Sequence, residues 1–436
     1  MCACQERFIM NKRLTRFSIS AAAVLVLTAG CSSGTGSPAG MPAPGTSPSS
    51  VPSVSMTHSP SHSPTTSSTA PDATEAAALR ATLTSLLSDH VWLAGNALDT
   101  AVQKKGDLKD PQVVGAVKAL DANSVALAEA IGSVYPDAEK PFLASWRQHI
   151  GFFVNYTLGK ATKDDKQVAK AEADLDAYRT SFGELINSVI PELPADAVAE
   201  ELKPHVQSLY AAIDASVAGK ADYQTKLSMA ADHMAMTAEV LAGGIAKNKG
   251  LDGDVDGTAA TVRATLTSQL SAHVWLAGNA LDTAVRHKGD LKDPQVVGAV
   301  KALDANSVAL AKTVGSVYPD AEKPLLASWR QHIGFFVNYT LGKATKNDKQ
   351  VAKAKADLNA YRTSFGQLIN SVIPELPADG VAEELVPHVN TLFAAVDADV
   401  AVKADYQTKL TKAADHMPMT AAILASGIVA NKNIES

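Results

Sequence analysis

The chain of 436 residues has only three cysteines, Cys2, Cys4 and Cys31, so no thiol occurs beyond residue 31. That excludes a disulfide framework and a thiolate metal site from the rest of the chain. Aromatic residues make up 5% of the total and no stretch alternates like a strand; with alanine, leucine and valine dominant, helices are favoured. No Lys/Arg-rich block is present, and 39 basic residues stand against 45 acidic ones for a net charge of -6. A phosphate-tracking surface is therefore not expected, and nucleic acid is not an expected partner. Beyond the N-terminus no apolar run reaches the roughly 20 residues that span a bilayer. Enzyme signatures are missing as well: there is no Gly-x-Ser-x-Gly, P-loop, His-Glu-x-x-His or dinucleotide fingerprint. The expectation is a protein that is not an enzyme.

What is present begins with a targeting segment. Lys12, Arg13 and Arg16 precede an apolar run from Ala21 to Ala29, followed by Gly30 and Cys31. Leu27-Thr28-Ala29-Gly30-Cys31 resembles a bacterial lipobox, departing from it where Thr28 takes a place usually held by an aliphatic residue. The resemblance implies a signal peptide over residues 1–30, diacylglycerol on Cys31, and a lipid anchor to the extracytoplasmic face of the cell membrane. Met10 heads a more conventional signal than Met1 does. Residues 31–72 form a Ser/Thr/Pro/Gly stretch with eight prolines and almost no large apolar side chain, which cannot bury enough surface to fold. As a stalk it would reach between about 35 Å as a flexible coil and about 130 Å as polyproline II. Its His58 and His62 are read as solvated linker residues, with a weak surface metal tether as the alternative.

The remainder repeats itself. HVWLAGNALDTAV begins at His90 and again at His273, and WRQHIGFFVNYTLGKATK begins at Trp146 and again at Trp329, a shift of 183 residues in both cases. A shift of that length is a duplicated domain and not a short solenoid repeat. The first copy spans 73–249, a linker 250–258, and the second copy 259–436. Caps and breakers divide the first copy into about six helices, beginning near Asp72, Pro111, Pro141, Asp164, Pro194 and Ala221. Apolar residues recur at helical spacing and the connections are short. The expected fold is all-α: two tandem up-and-down bundles with separate cores. The strings HVWLAG, HIGFFV and DHMPMT, in that order, resemble uncharacterised secreted and surface domains of Gram-positive bacteria. The resemblance implies a helical fold and an envelope location, and no activity.

Each copy carries four histidines at equivalent places: His90, His149, His205 and His233, then His273, His332, His388 and His416. On helical wheels they fall on the apolar face; His90, for example, shares a face with Leu83, Leu87, Ala94 and Ala97. Each also lies near the middle of its helix, so at about 1.5 Å per residue the four come to one level of a bundle. The expected inner cluster is His90, His149 and His233 with Met236 as a sulfur ligand, and His273, His332 and His416 with Met419. His205 and His388 are the least fixed members because Pro204 and Pro387 precede them. Imidazole with thioether and no thiolate suits copper. Two alternatives stand beside it. The histidines are core residues bonded to groups such as Asn96, Asn155 or Tyr156, in a non-catalytic module that binds cell-wall material or a protein, or two of them hold a haem. Between the copies, Asp252 to Gly257 matches four positions of a calcium loop, but Arg263 stands where the bidentate acid belongs, which favours a plain acidic linker.

Overall fold

The computed structural model describes residues 71–435, so the leader, Cys31, His58 and His62 lie outside the described residues. The first copy contains α1 (Glu75–Gln103), α2 (Pro111–Val134), α3 (Glu139–Thr162), α4 (Asp165–Val189), α5 (Ala195–Val217) and α6 (Tyr223–Lys249). The second contains α7 (Thr258–Arg286), α8 (Pro294–Val317), α9 (Glu322–Ala344), α10 (Asp348–Val372), α11 (Ala378–Val400), α12 (Tyr406–Ala414) and α13 (Met417–Lys432). Among the described residues there is no strand. The all-α, up-and-down reading holds, and the helix starts follow from caps visible in the sequence. The Asp110 carboxylate accepts from the Gln112 amide at 2.8 Å with Pro111 in the first turn, and Asp164 accepts from both Lys166 and Gln167 amides. At the far end of α6, Gly250 takes the left-handed conformation, φ 63°, that closes a helix.

One helix of the second copy is in two pieces. Pro418 has no N–H for the Ala414 carbonyl, and the helix breaks between α12 and α13 at Asp415 and His416. In the first copy Ala235 occupies that place and α6 runs on unbroken.

Within each copy consecutive helices pack antiparallel, with the first helix lying against the last. The two copies do not keep separate cores as the linker led us to expect. Their buried apolar side chains form one continuous cluster, and α1 packs directly along α7. Every residue from Leu87 to Leu98 of α1 and from Leu270 to Leu281 of α7 is buried, so one side of each helix fills its own bundle and the other packs on the second copy.

The docking is pseudo-twofold, so that each contact has a counterpart 183 residues away. Asn96 Nδ2 donates to Asn279 Oδ1 at 3.0 Å, its own counterpart. Asn96 also reaches Gln407 at 3.2 Å, and Asn279 reaches Gln224 at 3.0 Å. Gly115 of α2 lies against the Ala404 carbonyl, and Gly298 of α8 against the Ala221 carbonyl, each so closely that a Cβ would overlap the oxygen. This is the self-complementary pattern of a symmetric dimer, here within one chain. Symmetry fails where the copies differ. Trp275 Nε1 donates to Asp89 Oδ1 at 2.6 Å, whereas the place equivalent to Asp89 is Ala272 and the Trp92 N–H finds no partner.

The acidic linker is folded onto one end of this unit. The Asp252 carbonyl accepts from the Ala76 amide at 3.0 Å, Val255 is buried, and its carbonyl accepts from Arg80 at 2.7 Å. Asp254 is occupied by the Asp256 amide at 2.9 Å. The loop therefore serves as a cap between copies.

Candidate metal centre

Three helices of each bundle contribute to a buried histidine group. In the first copy α1 supplies His90, α3 supplies His149 together with Trp146 and Phe153, and α5 supplies His205; all three imidazoles are buried. In the second copy α7, α9 and α11 supply His273, His332 and His388, again buried. The positions follow from helical spacing. Trp146, His149 and Phe153 stand three and four residues apart on one face of α3, and that face turns to the core.

The His90 and His149 Nε2 atoms are 3.2 Å apart, and so are those of His273 and His332. In the second copy His388 joins them, and one nitrogen from each of His273, His332 and His388 lies within 4.8 Å of the others. Among the described residues no other group of histidines, cysteines and carboxylates converges so closely. Nitrogens bound to a common ion at 2.0–2.1 Å in tetrahedral or trigonal geometry sit about 3.3–3.6 Å apart. An edge of 4.8 Å would thus contract by about 1.2–1.5 Å on loading, within the reach of χ rotations. Beside the group is a cavity of about 30 Å³, lined by the three histidines, Trp329, Phe336, Tyr361 and Met417 among others. Its counterpart of about 20 Å³ touches His149, His205, Tyr178 and Met234. Such volumes admit one or two waters or a single ion.

A tautomer follows from the donors around the pair. Trp146 Nε1 donates to His90 Nδ1 at 3.3 Å, and Trp329 Nε1 to His273 Nδ1 at 3.2 Å. An indole N–H only donates, so His90 and His273 carry their proton on Nε2 and give it to the Nε2 of His149 and His332. The proton of His149 and of His332 is then on Nδ1. That atom makes no well-aligned hydrogen bond in either ring, with only the Trp146 or Trp329 carbonyl of its own helix nearby, and the Nδ1 of His205 and of His388 has no partner. Unpaired buried polar atoms of this kind cost about 1–3 kcal/mol each.

Burial keeps these imidazoles neutral. It lowers His90 and His273 well below the usual histidine range, with the neighbouring histidines adding to the effect. His149 and His332 fall to about 3, first through burial and then through His205 or His388, with a small opposing pull from the Trp146 or Trp329 carbonyl. His205 and His388 fall to about 4, through burial and then the nearby His233 or His416. Neutral imidazole is the form that ligates.

The fourth histidine of each copy lies outside the group. His233 Nε2 donates to the Glu201 carbonyl at 3.0 Å, and His416 Nε2 to the Glu384 carbonyl at 2.9 Å. Pro204 and Pro387 interrupt the hydrogen-bond ladder in those turns of α5 and α11, and a carbonyl of the same turn takes a side-chain donor from the next helix. Met236 and Met419, expected as sulfur ligands, are 55% and 52% exposed. The buried thioethers are those of Met234 and Met417, which line the two cavities. His205 and His388, the least fixed by sequence, are the ones turned inward. Level along the bundle was readable from sequence. Which of two residues near a helix face points inward was not, because a wheel resolves direction only to within a residue or so. The tryptophan donors were also missed, although Trp146 precedes His149 by three residues and so shares its face.

Comparison with known proteins gives no family model, no curated protein and no solved structure that matches this chain.

Proposed function

We propose that each copy binds one transition-metal ion, copper for preference, through its buried imidazoles, His90, His149 and His205 in the first and His273, His332 and His388 in the second. The observation that supports this most is in the second copy, where three neutral, buried imidazole nitrogens approach to within 4.8 Å beside an ion-sized cavity; the first copy keeps the equivalent residues and the same 3.2 Å pair. No carboxylate or thiolate belongs to the set, so a bound ion keeps its full charge in an apolar surround. That favours a singly charged ion over a doubly charged one, and Cu(I) accepts three nitrogens with or without a thioether such as Met417. The haem alternative is not supported by cavities of about 20 and 30 Å³, which a porphyrin far exceeds. With the lipobox-like leader, the proposal is a lipoprotein that sequesters or delivers metal at the extracytoplasmic face of the membrane.

Loading has a definite cost. Coordination through His273 Nε2 moves its proton to Nδ1, which then faces the Trp329 N–H and breaks that hydrogen bond. The loss is about 1 kcal/mol for the bond and a few for the facing donors, against ligation energies of order 10 kcal/mol.

A second reading rests on the same Trp-to-His-to-His relay, which without any ion satisfies both nitrogens of His90 and one of His149. In that reading the histidines are core residues and the duplicated domain is an envelope interaction module with a protein or cell-wall partner. Thermal melts separate the two. The metal reading expects Cu(I) to raise the melting temperature of the wild-type chain, and His149→Phe together with His332→Phe to remove the part of the rise that the buried groups contribute. If the wild type melts at the same temperature with and without Cu(I), Cu(II) or Zn(II), the core reading stands.

A further inference from the structure

We infer that the surface of α6 carries a second, soft-metal site, formed by Met229, His233 and Met236, which takes a thiophilic monovalent ion such as Cu(I) or Ag(I) from solution. Met229 and Met236 are among the most exposed large apolar side chains of the chain, at 63% and 55%. They stand four residues before and three residues after His233, so all three side chains share one side of α6, with His233, its side chain 10% exposed, at the margin where α6 meets α5. Exposed methionine has no packing reason to sit there, and two of them flanking an imidazole offer two thioethers and a nitrogen to one ion.

The imidazole is set up for ligation by its other nitrogen. His233 Nε2 faces two acceptors, the Glu201 carbonyl at 3.0 Å and the Glu201 carboxylate at 3.5 Å. Neither can donate, so the proton of neutral His233 is on Nε2 and the lone pair is on Nδ1. A ligating histidine characteristically gives its remaining N–H to a carbonyl or carboxylate in this way, which fixes the ring and raises its basicity. The histidines of the buried group lack this support: His90 accepts at Nδ1, and His149 and His205 have no partner there.

The second copy supplies a comparison within the same molecule. His416 Nε2 is held by the Glu384 carbonyl at 2.9 Å and its carboxylate at 3.2 Å, and Met419 is 52% exposed. The position equivalent to Met229, however, is Lys412. That site has one thioether fewer and a cation beside it, and should bind more weakly. The surface site also adjoins the buried one, since Met234, two residues from Met236, lines the cavity that holds His149 and His205.

The surface site does not need the buried group to bind metal, and the test keeps the two apart. The full chain, with methionine methyls 13C-labelled, is titrated with Ag(I), and Cu(I) affinities are measured against a chromophoric chelator. The Met229 and Met236 methyl resonances should shift together with one midpoint, below that of Met419. Met236→Leu should weaken this midpoint by at least about tenfold, one soft ligand of three being lost, and Met229→Lys should bring it level with the Met419 midpoint. In the His149→Phe and His332→Phe chain these shifts should persist while the buried equivalents are lost. Methyl resonances of Met229 and Met236 that do not respond to Ag(I), or a Met236→Leu midpoint equal to wild type, would overturn the surface site whatever the buried group does. A response of Met229 and Met236 at unrelated midpoints would overturn it too.

Discussion

Replacing His205 by leucine should change how stability depends on pH by an amount that can be worked out in advance. His205 is buried, its pKa lies at about 4, and its Nδ1 has no partner. In the unfolded chain an imidazole titrates near 6.5. A base whose folded pKa is depressed lends stability above its unfolded pKa and loses it as pH falls toward the folded one, here from 6.5 down to about 4. At pH 5.0 the unfolded imidazole gains RT ln(1 + 10^1.5), about 2 kcal/mol, and at pH 7.5 the same term is under about 0.1 kcal/mol. His205→Leu removes this linkage and leaves an apolar side chain of similar size among Phe153, Leu202 and Met234. The variant should therefore gain about 2 kcal/mol on the wild type between pH 7.5 and 5.0, read as the difference of urea-unfolding free energies at the two pH values. Using the difference between chains matters, because other buried groups titrate the opposite way. Burial raises Asp89 to about 7 and also raises Asp99, and such carboxyls favour the folded state as pH falls. These contributions are common to both chains and cancel. A pH dependence identical in wild type and variant would show that His205 takes up its proton as readily in the folded protein as in the unfolded chain, and would contradict burial as a neutral ligand.

Three further outcomes follow from the packing. Gly115→Leu or Gly298→Leu places a side chain into the Ala404 or Ala221 carbonyl, and should cost about 3 kcal/mol or more in urea unfolding; an unchanged midpoint would refute the docking of α2 on the loop before α12. Trp329→Phe removes the donor that opposes a proton on His273 Nδ1, so Cu(I) affinity of the second copy should rise by a factor of about 3–10, one hydrogen bond's worth, while metal-free stability falls. Ala272→Asp offers the buried Trp92 N–H the acceptor that Asp89 gives Trp275; since burial would raise that carboxyl as it raises Asp89, the variant should lose stability as pH rises above about 4, with no such trend beyond wild type if the two tryptophans are not equivalent.

Much of the fold was legible because local chemistry settles it. Pro111 after Asp110, Asp164 before Lys166, and Gly250 after Lys249 mark helix ends that the structure places within a few residues of the sequence reading. Docking of the two copies was less legible. Gly115 and Gly298 look like ordinary weak points in a helix until the carbonyl opposite each is known, and that carbonyl belongs to the other copy. The site divides in the same way. Depth along the bundle follows from rise per residue, and it brought His90 and His149 to one level with His205 and His233. Direction depends on what the neighbouring helix offers. Glu201's carbonyl draws His233 aside, and nothing about residue 233 alone announces that acceptor. Met234 and Met236 differ by two residues and end on opposite sides of α6, one buried and one exposed, because a helix turns about 200° over that spacing.

The central claim is that the buried imidazoles hold a metal ion, and the most direct measurement locates that ion. Crystals of the chain grown with Cu(I) under reducing conditions should be measured on both sides of the copper edge. The account predicts an anomalous peak among His273, His332 and His388, about 2.0–2.1 Å from each ligating nitrogen, with the Trp329 to His273 hydrogen bond broken and a matching peak at His90, His149 and His205. Copper bound only at exposed methionine and histidine, with both buried groups still joined Nε2 to Nε2 at 3.2 Å, would contradict it.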